Sequence, residues 1–495
     1  MRTRKNNNLL AWGMMICLAT WMMVSCGSIP ENPTVVEQLP PIFPDYAGVT
    51  IPAEIAPLNF NCYGENQAVD VVVRGEKGGE LHVNGEYADF DIDEWHQLTS
   101  QNKGAALTFT VCVKNNGEWV QYQDFKVEVS GDSLEEWGLT YRRIPPGYEV
   151  YGKMGIYQRE LSTFSEMAIL ENTAAPGACL NCHVANHTDP NSFTFHIRGE
   201  HGATLIHHGG TTELLKAKND SLGGSMVYPY WHPSGRFVAY STNKTNQSFH
   251  AVAAERIEVF DHASDVLVYS PDKHEILFDS LVATKSHYEN YPVFSPYGKT
   301  LYFCAAESRM IPSEYKDIKY NLCKIGFDPD KGVFTGEVDT IFNARMMGKS
   351  ANHPRPSYDG RFLLFTMSDY GCFPVWHKEA DQWLLDLQTG EARPLDEVNS
   401  DDTDSYHNWS KNSRWIVFTS RRGNGYYTHL YLAHVDKDGR MGKPFLLPQR
   451  NPWAYYDETL FSFNTPDFTS EPVRLDARAV ARDIMSDKRV ETKIR

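Results

Sequence analysis

Tyr228-Pro-Tyr-Trp-His-Pro-Ser-Gly-Arg-Phe-Val-Ala-Tyr240 returns three more times along the chain in altered form. The copies are Tyr291-Pro-Val-Phe-Ser-Pro-Tyr-Gly-Lys-Thr-Leu-Tyr-Phe303, His353-Pro-Arg-Pro-Ser-Tyr-Asp-Gly-Arg-Phe-Leu-Leu-Phe365 and His407-Asn-Trp-Ser-Lys-Asn-Ser-Arg-Trp-Ile-Val-Phe418. Each has an aromatic or proline-rich lead-in, a tight turn, a basic residue and then a hydrophobic strand. Gly235, Gly298 and Gly360 hold the turn position, where glycine adopts a positive φ at little cost, and Ser413 stands there in the last copy. Three copies are followed by a second hairpin, at Ile325-Gly-Phe-Asp-Pro-Asp-Lys-Gly332, Leu385-Asp-Leu-Gln-Thr-Gly390 and Val435-Asp-Lys-Asp-Gly439. Two hairpins make one four-stranded unit, and such units set radially around an axis form a β-propeller. The repeat predicts a propeller over 211–474, followed by a tail over 475–495.

Upstream of the first copy lies Cys179-Leu-Asn-Cys-His183. C-x-x-C-H is the attachment spacing of a c-type haem. The two thiols add to the haem vinyl groups, and the adjacent imidazole ligates the iron. On this reading Cys179 and Cys182 hold one covalent haem c, with His183 as its proximal ligand. The competing readings are a redox disulfide and half of a zinc site, which would want a second Cys or His pair. His187, His196, His201, His207 and His208 crowd the same stretch. His196, in the alternating run Phe193-Thr-Phe-His-Ile-Arg198, is the first candidate for a distal ligand. Met154 and Met167 are its rivals, because Met/His ligation serves electron-transfer cytochromes. His207 and His208 read as a loop. Residues 162–170 read as a helix capped by Ser162, and 136–210 as a linker carrying the haem motif.

Haem attachment of this type takes place outside the cytoplasm, and the start of the chain points there. Arg2, Arg4 and Lys5 precede an uncharged, mostly apolar run over 9–24. It is shorter than the roughly 20 apolar residues that span a bilayer, so it reads as a secretory signal. The run ends Met23-Val24-Ser25-Cys26-Gly27, the pattern of a lipobox in which Cys26 becomes the lipidated mature N-terminus. No Asp follows Cys26, so an outer-membrane lipoprotein on the periplasmic side is expected, with 27–44 as a tether.

The formal net charge of −16 argues against nucleic acid and against an anionic membrane surface as partners. Residues 45–135 carry period-two runs: Val69-Asp-Val-Val-Val73, Glu80-Leu-His-Val83, Leu107-Thr-Phe-Thr-Val-Cys-Val113 and Phe125-Lys-Val-Glu-Val129. They predict a small immunoglobulin-like β-sandwich. Among the remaining cysteines, Cys62 with Cys112 and Cys304 with Cys323 are candidate bridges, leaving Cys372 over; buried free thiols are the alternative. Asp401, Asp402 and Asp404 form an acidic cluster without the spacing of a calcium loop. There is no G-x-S-x-G elbow and no H-E-x-x-H helix, so no enzymatic activity is expected.

The turn, basic residue and hydrophobic strand together resemble the repeat of TolB-like periplasmic propellers. The combination is more similar still to bacterial envelope lipoproteins in which a C-x-N-C-H motif precedes the propeller. Tyr157-Gln-Arg-Glu-Leu161, Cys179-Leu-Asn-Cys-His183, Phe195-His-Ile-Arg198 and Asn464-Thr-Pro-Asp-Phe468 carry that resemblance. It implies a mainly β chain with about six blades. Four are visible as repeats, so the others are expected from 195–226 and 451–474. Two functions follow. In the first, a lipid-anchored protein with one c-type haem transfers or senses electrons and meets an envelope redox partner through its propeller. The alternative is a non-enzymatic scaffold, without haem, that binds another envelope protein.

Overall fold

The computed structural model describes residues 30–64, 66–145, 152–216, 222, 224–252, 255–486 and 488–495. The expected signal segment and Cys26 lie outside them. Six antiparallel sheets form the six blades of a propeller. The strands bury apolar residues on both faces, as sheets stacked face to face must. Phe303, for example, packs toward blade 3 with Val293 and Phe327, while its neighbour Cys304 packs toward blade 5 with Phe365.

The innermost strands, nearest the axis, are Ser462–Thr469 in blade 1, Cys179–Asn186 in blade 2 and Ser225–Trp231 in blade 3. His287–Phe294, Ser350–Pro356 and Asp404–Trp409 serve blades 4, 5 and 6. Blade 1 is closed from both ends of the domain. Its inner strand pairs with Gly138–Ile144, which continues outward into Gly155–Glu160 and Glu166–Glu171. The two blades without a visible repeat therefore draw on 138–216 and on 462–469. Most of the expected linker over 136–210 belongs to the propeller.

The helix expected over 162–170 is instead a turn followed by the strand Glu166–Glu171. Ser162 and Thr163 donate to the Glu160 carboxylate rather than capping a helix, and Ile169 and Leu170 are buried between blades 1 and 2. His207 and His208 end the strand Ala203–His208 rather than lying in a loop. Gly298 shows what the repeated turn requires. Its φ is +68°, and a Cβ there would lie 2.2 Å from His232 Nε2, the ring nitrogen that meets the Gly298 carbonyl at 2.9 Å.

The N-terminal unit corrects the expected immunoglobulin-like sandwich. Its four predicted runs are strands, but they belong to one seven-stranded mixed sheet with a helix, Ile92–Gln101, in place of a second facing sheet. Asp91 caps that helix by accepting from the Asp93 and Glu94 backbone N–H groups. Trp95 and Leu98 lie on its buried face. They share one apolar core with Val71, Phe109 and Val127, and that core runs on into Trp415, Leu432 and Phe445 of blade 6.

Beyond blade 1, the helix Ala477–Met485 adds Val480 and Ile484 to the core between blades 1 and 2. Lys493–Ile494 then pairs with the outer strand of blade 3. No helix among the described residues is long and apolar enough to cross a membrane.

Neither candidate bridge is formed. Cys304 and Cys323 stand on adjacent strands one residue out of register, so their side chains enter the cores on opposite faces of blade 4. Cys62 lies in the N-terminal core, whereas Cys112 alternates with Val111 and Val113 and faces away from it.

Candidate functional site

Every inner strand makes the same corner on its way along the axis. Cys182, Tyr228, Tyr291, His353, Tyr406 and Thr465 all have φ between 47° and 52°, and none is glycine. At each corner the pairing with the neighbouring strand skips a register. A left-handed conformation costs an ordinary residue about 1–2 kcal/mol, so the surrounding packing must hold the ring of six in place. The residues after the corners are His183, Pro229, Pro292, Pro354, His407 and Pro466. Cys182-His183 is thus blade 2's copy of a motif that reads Tyr-Pro in blades 3 and 4.

The corner side chains pack against one another across the axis. Ring centroids are 4.4 Å apart for Tyr228 and Tyr291, 4.1 Å for Tyr291 and His353, and 4.9 Å for His353 and Tyr406. The Tyr291 hydroxyl donates to the Cys372 carbonyl. About 30 Å3 of space remains among Cys182, His183, Tyr228, His353, Tyr406 and Asp467. A water needs about 10–15 Å3 of such space, so there is room for a water or two.

Three histidines, His183, His353 and His407, line this space, and both ring nitrogens of His353 are buried without a partner. Burial lowers the His183 imidazole to about 4 and holds His353 well below the usual range, so both are neutral at pH 7. His183 Nδ1 lies 3.5 Å from Thr465 Oγ1. At the far end Asp467 accepts from Asn408 Nδ2 at 2.6 Å and from the Ala185 N–H at 2.9 Å, while burial raises its carboxyl to about 6.

Cys179, Cys182 and His183 lie in the inner strand of blade 2, and about 30 Å3 of space lies beside Cys182 and His183. The candidate distal ligands are scattered. His196 is buried in the second strand of blade 2, where Nδ1 meets Thr204 Oγ1 at 3.2 Å and burial lowers the ring to about 3. Met167 is 47% exposed on the outer strand of blade 1. Met154 is buried, and together with Cys179 it contacts the guanidinium of Arg142.

Among the described residues no group of three His, Cys, Asp or Glu side chains is placed to hold a metal ion. Asp404 of the acidic cluster is a structural ion-pair partner, 2.7 Å from Arg422 and bonded to Ser400.

Two sets of residues were not legible as a site. Arg142 stands in the run Tyr141-Arg142-Arg143 with nothing to mark it from its neighbour. Asp261 lies outside the repeat windows, yet its buried carboxylate accepts from Cys372 Sγ at 2.9 Å, Asn243 at 2.9 Å and Asn290 at 3.0 Å. It ties the long hairpin of blade 3 to the loop of blade 5. Aligning Cys182 with Tyr228 would have revealed the corner; no spacing reveals the hairpin contact.

No family model and no curated protein matches the chain. Solved structures similar to it are propeller proteins and enzymes. TolB from Acinetobacter baumannii matches at 12% identity over 77% of this chain and 86% of that one, with a TM-score of 0.44. An oligogalacturonate lyase from Vibrio parahaemolyticus matches at 11% identity over 77% and 94%, with a TM-score of 0.34. The β-propeller domain of the Trilobed protease from Pyrococcus furiosus matches at 9% identity over 67% and 79%, with a TM-score of 0.33.

Proposed function

We propose that this protein is a non-enzymatic propeller scaffold of the cell envelope, anchored through Cys26, whose blades present a surface to another envelope protein. The observation that carries this reading is the corner ring. Cys182 and His183 are committed to the backbone turn that all six blades make, which accounts for them without a cofactor. The N-terminal unit supports the same reading, because a core continuous with blade 6 makes the two units one rigid body for display. Its role is spacing the propeller from the membrane.

A haem stain after denaturing electrophoresis tests this, on protein made in a host with c-type maturation machinery. Covalent haem survives denaturation. The scaffold reading expects no stained band and free thiols at Cys179 and Cys182. A stained band that disappears in Cys182→Ala would overturn it and restore the electron-transfer function.

A further inference from the structure

The long hairpin of blade 3 is unlike its counterparts. Its strands, Val238–Val252 and Glu255–Ser270, run 15 and 16 residues, against 8 for each of the matching strands Thr300–Glu307 and Asn321–Asp328 of blade 4. Partway along, the pairing skips a register between Lys244 and Thr245, whose partners are Ala263 and Asp261. A bulge of this kind bends a hairpin, and beyond it the chain leaves blade 3 for the loops of blades 4 and 5.

The two halves are held by different forces. On the blade side of the bulge, Ala239, Val266 and Val268 pack into one core with Val293 and Phe303 of blade 4. Beyond it the contacts are aromatic and charged. Phe260 meets the ring of Tyr315 at 5.2 Å, and Tyr315 meets Tyr370 at 5.3 Å. Buried Glu258 accepts from the Tyr370 hydroxyl at 2.8 Å and lies 3.6 Å from His377 Nε2, while His377 Nδ1 lies 3.2 Å from Glu379. Burial lowers the His377 imidazole, but these two carboxylates outweigh it and raise the ring to about 9, so it is a cation at pH 7. Asp261 accepts from Cys372 Sγ, and the Cys372 carbonyl accepts from the Tyr291 hydroxyl of the corner ring. The hairpin therefore rests on the Cys372 loop, and that loop rests on the axis. Buried ion pairs add little net stability, because desolvation offsets their attraction. The half beyond the bulge can lift while the apolar core keeps blade 3 folded.

We propose that this half of the hairpin is a releasable cap over one end of the axis, hinged at the bulge and latched by Glu258, His377 and Glu379. Lifting it uncovers the Cys372 loop above the corner ring. The cap stands apart from the scaffold reading, since it needs neither a haem nor an identified partner.

Alkylation of Cys372 by N-ethylmaleimide in the full mature chain at pH 7 tests it. Cys304, equally buried in the body of blade 4, reports any general loosening. His377→Gln removes the cation between the two carboxylates and is expected to speed Cys372 labelling roughly tenfold or more, with Cys304 unchanged. Glu258→Gln should act through the same contact, so the double variant should label no faster than the faster single one. A wild-type rate at Cys372 in His377→Gln would overturn the proposal. So would equal acceleration of Cys372 and Cys304, or effects of the two substitutions that multiply in the double variant.

Discussion

Blades 2 and 4 reach the axis by one backbone corner built from different residues. In blade 4 the corner is Tyr291-Pro292, with φ of 51° at Tyr291; in blade 2 it is Cys182-His183, with φ of 52° at Cys182. Blade 4 follows its corner with a glycine turn at Gly298. Blade 2 turns through His187 and Thr188, both left-handed without being glycine. The difference teaches that the corner fixes a backbone conformation and leaves its chemistry open. A motif with the spacing of haem attachment can then arise where a tyrosine and a proline would serve.

The largest way to break the comparison is Tyr291→Ala. Tyr291 is 2% exposed and packed against Tyr228 and His353. Removing a buried aromatic of this size costs about 3–5 kcal/mol, read as a fall in the urea midpoint at unchanged slope. Installing blade 4's residue in blade 2, as Cys182→Tyr, should also destabilise, by about 1–3 kcal/mol. The axis holds about 30 Å3 there and cannot take another ring. Wild-type stability in that variant would show that the six corners are interchangeable in size as well as in conformation.

A smaller effect separates the residues after the corners by pH. Burial keeps His183 neutral with its pKa lowered to about 4, whereas an unfolded histidine titrates near 6.5. Its contribution to stability is therefore complete above about pH 6.5 and is lost as pH falls toward 4. His183→Asn should flatten the stability profile over that window, measured by urea unfolding at pH 7 and pH 5. Pro292→Ala, with no titrating group, should leave the profile's shape unchanged. Its cost is the smallest expected, about 0.4–1 kcal/mol from the freer unfolded chain.

Blades 3 to 6 were legible because their tight turns recur at one spacing from the corner, Gly235, Gly298, Gly360 and Ser413 each seven residues on. Blade 2 escaped because it turns elsewhere. Blade 1 escaped because its inner strand, Ser462–Thr469, begins 291 residues after Glu171, where the last of its other three ends. The helix Ile92–Gln101 left a signal in Asp91 and in the spacing of Trp95 and Leu98, but the neighbouring strand runs obscured it. The cysteines could not be paired from sequence, because a spacing does not say which face of a strand each thiol occupies.

The sequence by itself determined a repeating, mainly β chain, since alternation and turn residues are local properties of each hairpin. It also determined the composition of the corners, including the C-x-x-C-H of blade 2. Tertiary structure alone decided that this motif is one of six equivalent corners, that 462–469 closes blade 1, and that Arg142 has sulfur for neighbours where Arg143 has a carboxylate. Those facts depend on which distant strands meet. Pairing partners hundreds of residues apart are chosen by the burial of whole faces, which no short stretch of sequence records.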